Sequence, residues 1–296
     1  MSEKIELSKI RDFGEIITDT FVFIRQNLKP MLVCFFVFCG FFLAAGAILG
    51  SLQQAKAMNL ISNLQTDSRL YETMPLSFFT IQYFLSILFL ILNYIAIHVT
   101  IFSFVSLYKE KGNIPPTPQE VWGYFKYFYF KILGSGILLV VLLIVATLLC
   151  FFPGVYLYPI FALIFPIMIF ENTSFGYAFN RSFKLIKENW WITFGTLFVI
   201  GLIVYFATLV IMLPLTLLNF GSFFLHPRGG LHLSPTISLV TSVLQHLCQI
   251  FYIVPLVAIS LIYFNLNERL DSTGLMGRIN QLGSTDPNST LPTEEY

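Results

Sequence analysis

The chain has 296 residues, of which 56% are hydrophobic, 17% aromatic and only 11% charged. Soluble domains carry about 25% charged residues, so an ordinary water-soluble globule is excluded and lipid becomes the solvent for much of the surface. The formal net charge of +1 gives no basis for a nucleic-acid partner.

A hydrocarbon core about 30 Å thick needs roughly 20 apolar residues in helix. Six segments qualify: 30–50, 77–108, 132–152, 155–171, 191–219 and 236–266, with Glu171 at the end of the fourth as their one charged residue. Ahead of the first lies 13–27, FGEIITDTFVFIRQN. On a helix Phe13, Ile16, Ile17, Phe21, Ile24 and Leu28 fall on one stripe, which predicts an amphipathic helix at the water boundary. Gly46-xxx-Gly50 in the first span permits close approach of another helix, from this chain or a second one.

Before the third span, Thr117-Pro118-Gln119-Glu120 is a strong helix-start signal: N-cap, proline at the first helical position, acid three after the cap. Val121, Trp122, Phe125, Phe128, Tyr129 and Ile132 follow at helical spacing. Pro153-Gly154 predicts a tight reversal between spans three and four, with Tyr156 and Tyr158 at an interface. Pro159 and Pro166 predict that the fourth span is kinked or broken.

The segment 175–189, FGYAFNRSFKLIKEN, repeats part of 13–27 at a shift of 162 positions. Its apolar stripe is Phe175, Ala178, Phe179, Phe183, Ile186 and Trp190; Arg181, Lys184, Lys187 and Glu188 lie opposite. The Trp190-Trp191 pair then marks the depth at which the fifth span begins.

The fold class expected is an all-α integral membrane protein with six transmembrane helices as three hairpins, each preceded by a cytoplasmic-side amphipathic interfacial helix. One transmembrane domain covers 1–270, in units 8–108, 117–171 and 175–266, and 271–296 is a disordered cytoplasmic tail. Fourteen of the 17 Lys and Arg fall on the side holding both termini, which the positive-inside rule makes cytoplasmic. The expected location is the bacterial cytoplasmic (inner) membrane.

The run 153–195 carries Pro153-Gly154-x-Tyr156-Leu157, Pro166, Glu171 and Ala178-x-x-Arg181-Ser182-Phe183. With the ending Tyr263-Phe264-Asn265-Leu266-Asn267-Glu268-Arg269, it resembles the membrane domain attached to some bacterial glycerophosphoryl diester phosphodiesterases, which also occurs as stand-alone proteins. Asn265 stands where that family often has an acid. No region here has the alternating strands and helices of the fused catalytic domain, so the resemblance implies a membrane domain and no hydrolase.

Four cysteines (Cys34, Cys39, Cys150, Cys248) all lie in apolar runs without metal-ligand spacing, so no metal or cofactor is expected. Glu171 and Arg181 are expected to form a structural pin; Arg181, Lys184 and Lys187 could instead bind an anionic lipid headgroup. Asn93, His98, Gln245, His246 and Gln249 are polar inside spans, where they either bond a neighbouring helix or line a path. The function expected is non-catalytic: organising membrane lipids, anionic ones included, or a membrane-protein partner or second copy. The alternative is a transporter or lipid-handling permease whose path spans two and six line. An intramembrane enzyme would have only Glu171 and His98 for acid-base work.

Overall fold

The computed structural model describes residues 4–66, 80–149, 151–225 and 235–271, and among them every regular element is helical. In chain order these are α1 (Phe13–Thr66), α2 (Ile81–Glu110), α3 (Pro118–Leu149), α4 (Phe151–Ala162), α5 (Ile164–Phe170), α6 (Phe175–Ile186), α7 (Trp190–Leu225), α8 (Pro235–Leu247), a 3-10 turn (Cys248–Tyr252) and α9 (Ile253–Asp271). Five stretches are long and apolar enough to cross a membrane: Phe13–Lys56, Ile81–Glu110, Pro118–Val145, Trp190–Leu217 and Ile237–Asp271. Large apolar side chains such as Phe41, Phe130, Leu148 and Val210 face outward, a surface that water would not tolerate. The architecture is that of a multi-pass membrane protein.

Two helices form the centre. The inner half of α2, from Ile95 to Tyr108, and α9 from Leu256 to Leu266 are buried on all sides. A helix buried all round shows no amphipathic period, and neither sequence stretch has one. Their ring contacts run in register, with Tyr94 against Tyr252 and Lys109 Nζ 4.4 Å from the Phe264 ring, so the two helices are parallel.

The expected separate helices ahead of spans one and three are not separate. Residues 13–28 and 30–50 belong to the single helix α1, and 117–131 run into 132–149 as α3. At 1.5 Å per residue the 54 residues of α1 would extend about 80 Å if straight, far more than a bilayer. The reason for continuity lies in the buried stripe: Ile16, Thr20, Phe23, Asn27, Met31, Cys34, Phe38 follow at three- and four-residue steps through Pro30 without a phase change. This stripe is displaced from the one expected. Phe13, Phe21 and Leu28 are exposed, while the polar Thr20 and Asn27 turn inward and bond the carbonyls of Ile16 and Phe23 at 2.7 and 3.0 Å. In lipid, outward apolar residues are as stable as inward ones, so periodicity alone does not tell which side of α1 meets the rest of the chain.

The α3 start forms as its sequence predicts. The Thr117 amide donates to Glu120 Oε2 at 2.7 Å, and Lys111 Nζ reaches the same carboxylate at 2.8 Å. Val121, Phe125, Phe128, Tyr129 and Ile132 are buried, with Phe38, Phe125 and Tyr129 stacked at 5.0 to 5.1 Å between ring centres.

The segment expected as the fourth span is two short helices. Pro166 has no amide to donate to the Ala162 carbonyl four residues back, and the chain breaks at Leu163 between α4 and α5. Pro153 and Gly154, where the tight reversal was expected, lie instead within α4, whose first turn tolerates proline; residue 150, between α3 and α4, is outside the described residues. The ring of Tyr156 in α4 stacks on Trp190 at 5.5 Å, and its carbonyl accepts from Trp190 Nε1 at 3.0 Å. The two residues thus share one depth and do not mark opposite boundaries.

The glycine pair of α1 finds its partner in the same chain. A Cβ on Gly46 would sit 2.7 Å from His246 Nε2, and one on Gly50 2.7 Å from Ser242 Oγ. Ser242 in turn donates to the Ala47 carbonyl at 2.8 Å, so α1 and α8 touch backbone to side chain. The expected tail 271–296 lies outside the described residues except for Asp271, which ends α9 and is ion-paired.

Candidate functional site

One polar cluster gathers where α5, α6 and α9 end or begin. Helix α5 stops because Asn172 turns left-handed, at φ +48°, while the Glu171 amide still bonds the Ile167 carbonyl at 3.0 Å. That leaves Glu171 at the helix end with its carboxylate facing α6 and α9. Tyr263 of α9 donates its hydroxyl to Glu171 Oε1 at 2.9 Å. From α6, Arg181 Nε lies 3.5 Å from the same oxygen. Arg181 Nη2 donates to Asn267 Oδ1 at 2.8 Å and pairs with the Asp271 carboxylate. Tyr263, Asn267 and Asp271 are four residues apart in turn, so one face of α9 supplies all three. Burial opposes the charge of Arg181, but the hydrogen bond and charge of Asp271 and the charge of Glu171 overcome it and raise the guanidinium pKa. The Glu171 carboxylate likewise raises the Tyr177 phenol above its ordinary value.

Glu171 and Arg181, expected to pair, form an ion pair at 3.5 Å, and Tyr263, Asn267 and Asp271 extend it into a cluster. Their four-residue spacing was readable in the sequence; their partner was not. Arg181 is largely buried, whereas Lys184 on the same helix and Lys187 in the turn just after it are exposed. Ala178, Ser182, Leu185 and Ile186 form the buried side of α6.

The intramembrane polar residues divide. Asn93 Nδ2 donates to Gln249 Oε1 across α2 and the 3-10 turn. Gln245 is exposed on α8, and the 3-10 turn after Leu247 takes Gln249 out of register with it. His246 bonds the Ser242 carbonyl at 2.8 Å and packs on Gly46. His98 is held with Nδ1 2.8 Å from the Tyr94 carbonyl and its ring among those of Tyr94, Phe102 and Phe165.

His98 also borders a groove of about 490 Å³ between α2, α3 and α4, lined among others by Leu90, Tyr94, Val140, Tyr158 and Phe165. The lining carries no Lys, Arg, Asp or Glu among the described residues, and its volume falls within the range of small-molecule sites. Gly136 lets α3 come close: a Cβ there would meet Ile95 Cδ1 at 2.9 Å. Asn93, Gln245 and Gln249 are not among the groove's lining residues. Cys34 and Cys39 are buried in the core as free thiols.

Compared with family models, curated proteins and solved structures, the chain matches none.

Proposed function

We propose that the chain is a non-catalytic protein of the bacterial cytoplasmic membrane that gathers anionic lipid at the inner leaflet through Lys184 and Lys187. The observation that carries this reading is the division of labour between Arg181 and the lysines at the end of α6. Arg181 is consumed by Glu171, Asn267 and Asp271, which fixes the helix, and the two lysines are left exposed beside outward-facing Tyr177 and Trp191. Each basic residue near an anionic leaflet contributes about 1 kcal/mol. The excess of Lys and Arg on the side that holds both termini supports a cytoplasmic setting for this face. Two further contacts support the arrangement. Arg11, ahead of α1, bonds Asn265 and Arg269 near the end of α9, so the start of α1 and the end of α9 meet on one face. Phe23 meets Tyr108 at 5.0 Å between ring centres, also at the inner end of α2, although about 18 Å of chain separates it from Arg11 if helical throughout. These contacts support reading the first turns of α1 as an interfacial stretch along the bundle end.

The resemblance to the phosphodiesterase-linked membrane domain belongs to the same proposal. Its matched residues Glu171, Arg181 and Tyr263 converge on one cluster, which gives them a structural task that needs no catalytic domain. The transport reading has the weaker support, since Asn93 Nδ2 is bonded to Gln249 and the groove is apolar.

The test uses the full chain in nanodiscs of mixed anionic and zwitterionic phospholipid, with bound lipid counted by native mass spectrometry. Enrichment of the anionic lipid should fall about fivefold for each lysine removed in Lys184→Ala and Lys187→Ala at low salt. Equal anionic content in the wild type and the double variant defeats the proposal. So does labelling of a cysteine placed at 184 only from outside the cell.

A further inference from the structure

We propose that the groove between α2, α3 and α4 binds a neutral membrane lipid that carries a hydroxyl group. This rests on the bilayer placement of the helices and not on the lysines of α6.

The argument begins with His98, which is 7% exposed. A backbone carbonyl can only accept a hydrogen bond, so the contact with the Tyr94 oxygen at 2.8 Å places the hydrogen of the neutral ring on Nδ1. Nε2 then keeps its lone pair, and among the described residues the hydrogen bond of the ring is the one at Nδ1. Rings of Tyr94, Phe102 and Phe165, at 4.0, 5.9 and 5.6 Å, hold the imidazole against rotation. The acceptor stands at the wall of an apolar groove that opens between Leu90 and Val140 on the outer surface of the bundle.

Depth and chemistry select the occupant. His98 is twelve residues from the end of α2 at Glu110, about 18 Å along the helix, which is within the hydrocarbon of a 30 Å core. A charged headgroup does not descend there, and the lining offers no counter-charge. A phospholipid tail reaches that depth but has no donor for Nε2. A lipid alcohol such as diacylglycerol meets both conditions: its chains fill the groove and its hydroxyl donates to the histidine.

The experiment compares two photoactivatable lipids with the same diazirine-bearing acyl chain, diacylglycerol and phosphatidylcholine, in nanodiscs holding the full-length chain. Diacylglycerol should label peptides from 90–98 and 136–143 more than phosphatidylcholine does. His98→Phe preserves the ring packing but removes the acceptor, and should lower diacylglycerol labelling roughly three- to tenfold while leaving phosphatidylcholine labelling unchanged. Val140→Trp, at a wall position 58% exposed and so able to accept bulk, should suppress diacylglycerol labelling. Equal labelling by the two lipids, or diacylglycerol labelling indifferent to both variants, reduces the groove to a surface wetted by bulk lipid and overturns the proposal. If His98→Phe fails to fold by size exclusion, Val140→Trp decides alone. The Lys184→Ala, Lys187→Ala double variant should keep full diacylglycerol labelling, so failure of the leaflet proposal and failure of this one are distinguishable.

Discussion

The amide of Arg11 donates to the side-chain oxygen of Asn265 at 2.9 Å, across 254 residues of chain. Arg269 closes the link from the other side, donating to Asn265 Oδ1 at 3.2 Å and to the Arg11 carbonyl at 3.0 Å. The Arg11 side chain is itself 1% exposed, bonded to Asp19 and to the carbonyls of Glu6, Leu7 and Lys9. A strap of irregular chain, with Ile5 and Leu7 in the core, is thereby clamped on the last helix.

That clamp makes Asn265 a sensitive position. Asn265→Leu strands the Arg11 amide and removes an acceptor from Arg269, and should lower stability by about 1–3 kcal/mol. Asn265→Asp keeps the acceptor oxygen and adds a charge that faces Arg269, so its melting temperature in detergent should lie close to the wild type. A drop as large for aspartate as for leucine would show that the site requires the amide and that an acid cannot replace it.

The α1–α8 contact predicts a steric penalty at Gly46 with its own internal control. Gly46→Ala drives a methyl to 2.7 Å from the His246 ring and should destabilise by about 1–3 kcal/mol. A Cβ on Gly40 of the same helix meets nothing within 4 Å, so Gly40→Ala should be neutral or slightly stabilising. Combining Gly46→Ala with His246→Ala should recover part of the loss. Identical melting shifts for Gly46→Ala and Gly40→Ala would mean that the two helices are not in this contact.

Asn93 and Gln249 link α2 to the 3-10 turn that leads into α9. Interhelical hydrogen bonds of this kind in membranes average about 0.6 kcal/mol and reach about 1.7. A double-mutant cycle with Asn93→Ala and Gln249→Ala should give a coupling of that size, read from unfolding in mixed micelles. The same cycle on Asn93 and Gln245 should give zero coupling, because Gln245 faces outward from α8.

The solvent decides which features the sequence reveals and which it hides. Helix content, the α3 start at Thr117 and the break of the fourth span were legible, because capping and proline act within a few residues of the chain. Which side of α1 faces inward was not legible, since lipid accepts Phe13 and Phe21 as readily as the core accepts Phe23. Nor was its continuity through Pro30. The match of 13–27 to 175–189 hides a difference immediately downstream: α1 continues past Asn27, whereas the chain leaves helix after Ile186 and re-enters at Trp190. The pairing of Glu171 with Arg181 was readable as local opposite charges. Its extension to Tyr263, Asn267 and Asp271 needed the return of α9 from about ninety residues away.

The Glu171–Arg181 cluster yields the last prediction, which separates a pin from a ligand site. If Arg181 chiefly holds α6, Arg181→Gln leaves two carboxylates facing one another and should cost about 1–3 kcal/mol, reduced from the value of a fully buried pair because Asp271 is partly open to solvent. Glu171→Gln alone should cost less, since Asn267 and Asp271 still hold the guanidinium. Arg181→Lys keeps the charge but cannot reach three partners with one ammonium, so it should fall between wild type and Arg181→Gln. Thermal unfolding in detergent at two ionic strengths orders these variants, and the lipid counts measured in parallel should follow the lysines and not this order. An Arg181→Gln protein with wild-type stability but no bound anionic lipid would reverse the assignment, making Arg181 the headgroup ligand and leaving α6 held by its apolar side alone.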